Sequence, residues 1–243
     1  MIKCNQADLG VCLRVRYHVD ETWLIYCFSN LVIYFCSFSG PWIQGTMISM
    51  MDRFKAGINP PGPEDANEHD GLVTAMPFIL QQSPNLEMDK LKSCFEIMTT
   101  KPESLDHHEV EAFLINEYIK GAEDPIEITK DHFKQNEKII GEINAVLEGK
   151  ESGKSAEELV KKFGMACPMP GSFQGSLVSI LGAESYAGAI RETIFCGGDC
   201  CSRSNLIGAC LGAKYGIDSM PLDWISKVDG IEEILHKCIE VFG

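Results

Sequence analysis

Basic residues are scarce in this sequence. Its 243 residues include 21 lysines and arginines against 35 aspartates and glutamates, which gives a formal net charge of −14 at pH 7. Nucleic-acid backbones attract positively charged surfaces, so this balance argues against nucleic-acid binding and favours solubility. The length is sufficient for one domain with a single core or for two small domains.

The cysteines lack the regular spacing of a secreted disulfide framework. There are eleven of them, an odd number, and several fall at helical positions among apolar residues, where a reduced cysteine behaves as a small hydrophobe. Cys196, Cys200 and Cys201 form no Cys-x-x-Cys pair, so the sequence does not predict a structural zinc site. This pattern predicts a reduced, cytoplasmic protein.

Charge is also missing from residues 22–51, and the run from Trp23 to Cys36 is almost wholly apolar. A membrane helix needs about 20 apolar residues, and small polar residues, glycine and proline interrupt this run early. A signal peptide would have its apolar region nearer the start, ahead of a small-residue cleavage site. A buried strand pair is a third reading, and a fourth is that these residues are not native to the fold. We favour the fourth reading, which divides the chain into an atypical segment, 1–50, and a folded domain, 51–243.

From Met51 onward, apolar residues recur at helical spacing and no alternating strand pattern appears. The fold class is therefore predicted to be all-α. A capping box at Ser155 and a cap at Ser185 mark two helix starts, and Thr129 is predicted to cap one long helix. The other apolar or helical segments cover residues 72–80, 86–98, 104–118, 173–181, 222–228 and 231–242.

Two glycines followed by polar residues form the most distinctive stretch of the chain. Gly197 and Gly198 predict a tight turn. Residues 199–202, an aspartate, two cysteines and a serine, then lie at the expected start of a helix, where unpaired N–H groups and the positive end of the helix dipole are found. Such a cluster suits an anion, a metal ion or a reactive thiolate. A plain helix cap is the alternative reading for Asp199 and Ser202.

The helix that follows carries glycines four residues apart. Gly208, Gly212 and Gly216 place a smooth stripe on one face, with Ala209 and Ala213 beside it. Glycine in an exposed helix costs about 1 kcal/mol relative to alanine. The stripe therefore predicts close packing of another element against this helix.

The adjacent thiols have two readings. A disulfide between Cys200 and Cys201 would be strained, whereas the helix N-terminus and Arg203 would acidify both groups and make them redox candidates. Buried and inert thiols are the reading we favour.

The histidines are interpreted as solvated. His69 and Asp70 lie in a predicted loop before Gly71, and His107 and His108 lie among acidic residues of a predicted helix. Neither pair is predicted from the residues alone to form a buried site.

The run GGDCCSRSNLIGACLGAKYGIDSMPLDWISKV, residues 197–228, resembles the C-terminal signature of the ADP-ribosylglycohydrolase superfamily. The segments 173–177 and 185–193 and the dipeptide at 70–71 support the resemblance, which covers about residues 51–243. Within the superfamily the chain resembles the jellyfish J-type crystallins and the selenoprotein J group. The resemblance implies an all-α helical bundle, here lacking part of the N-terminal helices.

Active members of this superfamily hold two Mg²⁺ ions between the C-terminal signature and an N-terminal Thr-Asp-Asp motif, and they break glycosidic bonds of ADP-ribose. The resemblance assigns Asp199 and Ser202 as metal ligands and places Cys201 where a second aspartate is expected. A thiolate is a poor ligand for Mg²⁺, and the chain contains no Thr-Asp-Asp. The resemblance also implies substrate contacts for His69, Asp70, Gly71, Gly197 and Gly198, and it assigns no catalytic residue.

The sequence therefore predicts a superfamily member with a degenerate Mg²⁺ site and little or no hydrolysis of ADP-ribose linkages. A non-enzymatic, crystallin-like structural protein and a thiol-dependent redox protein using Cys200 and Cys201 are the alternatives. ADP-ribose or an ADP-ribosylated substrate is the expected partner, and membrane binding is not expected.

Overall fold

The computed structural model describes residues 43–242, and their regular structure is entirely helical. The predicted all-α class is confirmed for this part of the chain. The helices are α1 Gly45–Lys55, α2 Asp70–Gln82, α3 Met88–Phe95, α4 Pro102–Ile119, α5 Pro125–His132, α6 Glu137–Glu151, α7 Ala156–Phe163, α8 Gly171–Leu181, α9 Tyr186–Phe195, α10 Cys200–Tyr215, α11 Leu222–Ile225 and α12 Ile231–Phe242, with a 3₁₀ turn at Ile217–Ser219.

Helices α8 and α10 form the centre of the bundle. Helix α8 packs against α6, α7, α9 and α10, and α10 also packs against α4. All but the last residue of α8 are buried, which fits a sequence that is apolar or small on every face. The core here includes Phe173 and Leu177 of α8 and Leu206 of α10. The two helices thereby fix the position of the turn at residues 197–199.

Helix α1 crosses the boundary that we placed at residue 50. It forms a small second cluster in which Met50 and Met51 pack against Ile97 and Met98. The readings given for Trp23 to Cys36 lie outside the described residues.

Two predicted helix starts are confirmed. Ser155 and Glu158 form a capping box, in which Ser155 Oγ accepts from Glu158 N at 3.2 Å and Glu158 Oε2 accepts from Ser155 N at 2.8 Å. Ser185 Oγ accepts from Gly188 N at 3.1 Å at the start of α9. Both caps connect residues three apart, so the sequence pattern was sufficient to find them.

The cap predicted at Thr129 is wrong. Thr129 lies inside α5, where its hydroxyl donates to Pro125 O at 2.7 Å. The predicted long helix is two helices, α5 and α6, capped by Asp124 and Asn136. Asp124 precedes a proline at the first helical position, a stronger start signal than a lone threonine.

Candidate functional site

The glycine turn forms as predicted between α9 and α10. Gly197 and Gly198 have φ of 72° and 67°, a region that other residues rarely adopt. A Cβ on Gly198 would also collide with the main chain of Met165. The Asp199 amide donates to Met165 O at 2.8 Å. The turn is therefore packed directly on the loop that follows α7.

Asp199 and Ser202 bind each other. Asp199 Oδ1 accepts from Ser202 N at 3.1 Å, and Oδ2 accepts from Ser202 Oγ at 2.8 Å. Partial burial opposes ionisation of Asp199, but these hydrogen bonds and the nearby Arg203 charge hold the pKa of the carboxyl below its usual value. The arrangement is a complete N-cap of α10, which supports the alternative reading of both residues.

The signature turn presents the side-chain oxygens of two residues, Asp199 and Ser202, beside the thiol of Cys201. Mg²⁺ prefers six oxygen ligands in near-octahedral geometry. The oxygens of Asp199 and Ser202 are already hydrogen-bonded to each other. Across residues 43–242, no group of three or more His, Cys, Asp or Glu side chains is placed to hold a metal ion.

The adjacent thiols are not buried, in contrast to the reading we favoured. Cys201 is exposed and Cys200 is partly exposed, because both lie in the first turn of a helix whose start faces outward. The neighbouring Cys200, partial burial and Asp199 together raise the pKa of the Cys201 thiol. The predicted acidification of Cys201 therefore does not occur.

Arg203 explains why that acidification fails. Its side chain is fully buried and turned away from the thiols. Nε donates to Thr193 Oγ1 at 2.9 Å, Nη2 donates to the Thr193 and Gly197 carbonyls, and Nη1 donates to Met165 O at 3.4 Å. Arg203 thus joins the end of α9, the glycine turn and the loop after α7. The sequence signal for this clamp was available: Arg203 is the only charged residue between Cys200 and Ala213.

A pair of carboxylates lies at the start of α2. Gln44 Nε2 donates to Glu68 Oε2 at 2.6 Å and to Asp70 Oδ2 at 2.7 Å, and Thr46 Oγ1 donates to Glu68 Oε2 at 3.0 Å. Burial, followed by the charge of Glu68, raises the pKa of Asp70 to about 6. Asp70, which the sequence placed in a loop, is the first residue of α2, and it lies beside a second acid, Glu68.

Cys167 connects this pair with the signature. Its thiol donates to Glu68 Oε1 at 3.2 Å. Burial, the bond to Glu68 and the charges of Glu68 and Asp199 raise the pKa of Cys167 to about 11. Cys167 therefore lies within electrostatic reach of both Glu68 and Asp199.

The solvated readings of His69 and His108 are wrong, because both rings are buried around Glu111. His69 Nδ1 lies 2.8 Å from Glu111 Oε1, and His108 Nδ1 lies 3.1 Å from Oε2. Burial opposes ionisation of Glu111, but the charge of His69 and the hydrogen bond from His108 outweigh it and lower its pKa to about 2. Burial lowers the pKa of His108, despite Glu111. A Cβ on Gly71 would lie 2.6 Å from His108 Cδ2, so this glycine makes room for the ring.

His107 is also buried, on the opposite side of α4. Its Nε2 lies 2.7 Å from Glu142 Oε2, and its Nδ1 lies 2.6 Å from Glu103 O. Burial disfavours the charged ring, but Glu142 and the Glu103 carbonyl more than compensate and raise the pKa of His107. Its solvated reading is wrong as well, since Glu142 of α6 and Phe173 of α8 lie against the ring.

The bundle and its signature turn define a member of the ADP-ribosylglycohydrolase family. The model of that family matches residues 6–243, so the chain belongs to it. A solved structure described as an ADP-ribosylglycohydrolase-related protein complex shares the fold, with a TM-score of 0.70 and 18% identity, over 98% of this chain and 80% of that one.

Two crystallins are among the relatives. Crystallin J1A of Tripedalia cystophora is 26% identical over 200 residues, which is 81% of this chain and 61% of that protein. Crystallin J1B of the same animal is 25% identical over 205 residues, 83% of this chain and 62% of that protein. The chain therefore spans less than two thirds of the length of the curated relatives that it matches.

Proposed function

We propose that this chain is an ADP-ribosylglycohydrolase-family protein of the J-crystallin type, with a degenerate Mg²⁺ site and little or no hydrolysis of ADP-ribose linkages. The observation that supports the proposal is that the turn at 197–202 supplies side-chain oxygens from two residues, Asp199 and Ser202, and uses both in the cap of α10. Cys201, which takes the place of the expected second aspartate, adds a soft ligand where Mg²⁺ needs a hard one.

A hydrolase that uses Mg²⁺ needs the charge of the ion next to the glycosidic bond that it breaks. Glu68 and Asp70, which Cys167 links to the signature, both accept hydrogen bonds from Gln44, and the charge of Glu68 helps to raise the pKa of Asp70. Releasing these ligands toward an ion would break the bonds that organise the start of α2. We therefore derive no catalytic step through Mg²⁺ for this chain.

A crystallin-like structural role is the non-enzymatic form of the same proposal. The similarity to two crystallins supports it, and the formal net charge of −14 suits a protein kept soluble at high concentration. The raised pKa of Cys201 argues against the thiol-dependent redox alternative.

The partner and location belong to the proposal too. ADP-ribose, or a protein carrying it, is the ligand class that the family suggests, and the cytoplasm is the location that the cysteine pattern favours. None of the helices in residues 43–242 is long and apolar enough to cross a membrane.

The test is release of ADP-ribose from an ADP-ribosylated peptide, measured with and without Mg²⁺. We expect the unmodified chain and Asp199→Ala to give the same background rate in both conditions. Asp218→Ala, an exposed aspartate outside the signature turn, is the matched control. Mg²⁺-dependent release that Asp199→Ala abolishes and Asp218→Ala retains would overturn the proposal.

A further inference from the structure

An open apolar groove lies between α2, α4 and α10. It has a volume of about 550 Å³ and is lined mainly by apolar and small residues. Val73 and Leu80 of α2 and Ile119 of α4 are on its rim, with 45%, 40% and 36% of their surfaces exposed. No charged side chain lines it.

The floor of the groove is the glycine stripe of α10. Gly208, Ala209, Gly212 and Ala213 all line it. Gly208 and Gly212 pack closely on Tyr186 and Met220, as the stripe predicted, and beside these contacts the same small residues form an open floor. Glycine and alanine on the floor make the groove deep between the larger residues of its rim. Bulky apolar side chains fit such a groove, because they fill this depth with van der Waals contacts.

We propose that the apolar segment Trp23–Cys36 of this same chain occupies the groove. The segment carries four aromatic residues besides Trp23 and no charge, which complements a lining that has no charge either. Filling the groove would cover three exposed aliphatic side chains, those of Val73, Leu80 and Ile119.

The first described residues lie beside the start of α2, close to the end of the groove that Val73 lines. Gln44, the second described residue, donates to Asp70 Oδ2 at 2.7 Å, and Asp70 begins α2. Val73, at the near end of the rim, follows one turn later. From there the groove follows α2 to Leu80, a distance of about 10 Å.

The length of the connection permits this path. Cys36 and Gln44 are joined by a stretch that spans up to about 26 Å when extended. The family match begins at residue 6 and includes the segment, which supports a place for it within the fold. A segment foreign to the fold, the reading that the sequence favoured, is the competing outcome.

The segment contains its own probe, Cys27. We would alkylate the native, full-length chain with N-ethylmaleimide and measure the rate at each cysteine by peptide mass spectrometry. Exposed Cys238 gives the rate of an accessible thiol, and buried Cys94 and Cys210 report unfolding. We expect Cys27 to react at least about tenfold more slowly than Cys238, because burial and local opening control access to a thiol.

Substitutions on the rim test whether the groove is what protects Cys27 from alkylation. Val73→Asp and Leu80→Asp place a short charged group in the groove, and both should bring the rate of Cys27 to within about threefold of Cys238. Ile194→Asp is the matched control, since Ile194 is 52% exposed and does not line the groove. It should leave Cys27 protected.

Three results would overturn the proposal. Cys27 that reacts as fast as Cys238 in the unmodified chain would show that the segment does not pack. Protection that survives Val73→Asp and Leu80→Asp would place the segment elsewhere, and protection that is lost on dilution would assign the groove to a second copy.

A second measurement needs no change of the groove. Photo-methionine differs little in shape from methionine, and Met76 lines the groove. On irradiation it loses nitrogen and the resulting carbene inserts into a neighbouring C–H bond. A cross-link between the Met76 peptide and residues 23–36 within one chain is expected, and its absence would contradict the proposal even if a groove variant failed to fold.

Discussion

Two polar regions of this protein are built in opposite ways. The signature turn is local: Asp199 caps α10 through Ser202, three residues away, and exposes two thiols beside it. The cluster of His69, His108 and Glu111 is buried and connects the start of α2 to the middle of α4. The comparison shows that the region with the functional signature is held mainly as a helix start, while the histidines that looked solvated surround a buried carboxylate.

Removing the Glu111 carboxylate from the buried cluster should have the largest effect on the free energy of unfolding. Glu111→Ala leaves the two histidines without their shared partner in a site that water does not reach. We expect the free energy of unfolding to fall by about 3–5 kcal/mol, the usual cost of breaking a buried ion pair. Urea denaturation measures it, and a loss below about 1 kcal/mol would mean that the histidines are not held by Glu111.

Arg203 tests whether the signature turn depends on a buried clamp. Arg203→Met removes the donors to Thr193, Gly197 and Met165 while it keeps most of the apolar volume. The carbonyls left without partners should cost about 2–3 kcal/mol. Arg191→Met, at an exposed arginine of α9 whose guanidinium lies 5.2 Å from the centre of the Trp224 ring, should cost at most about 1 kcal/mol. Equal effects of the two substitutions would contradict the clamp.

Lowering the pH tests the charge of Glu111 in the buried cluster. The pKa of Glu111 is about 2 in the folded protein and near 4.5 in the unfolded chain. The unfolded chain therefore binds a proton first as the pH falls, and the stabilisation from Glu111 is full above pH 4.5 and is lost between pH 4.5 and about 2. The stability difference between the unmodified chain and Glu111→Gln should shrink across this window in urea titrations at several pH values. A difference that stays constant would contradict an ionised Glu111.

Asp199 should show the smallest effect on stability. Asp199→Ala removes one helix cap, and such a loss typically costs about 1 kcal/mol. Thermal unfolding of Asp199→Ala and Asp199→Asn distinguishes the reasons for the loss. Asparagine is also a good cap residue, so it should restore most of the stability, and failure to do so would assign Asp199 a role that needs its charge.

The sequence predicted the features that neighbouring residues determine. The capping box at Ser155, the turn at Gly197 and the relation of Asp199 to Ser202 all join residues a few positions apart. The resemblance added the fold, since the signature is specific to a family whose bundle then follows.

The buried histidines were not predicted because the elements that cover them are distant in sequence. His107 and Glu142 are separated by 35 residues, and His108 follows acidic residues that suggested a wet surface. Burial of such a pair depends on which helices pack together, and helical spacing alone does not specify that. A clue was the glycine at 71, which leaves room for the ring of His108.

The most direct test of the degenerate site is isothermal titration of ADP-ribose into the folded, full-length chain, with and without Mg²⁺. The account predicts no Mg²⁺-dependent heat at millimolar ligand in the unmodified protein. Mg²⁺-dependent binding by the unmodified chain that disappears in Asp199→Ala would contradict the account and restore Asp199 as a metal ligand.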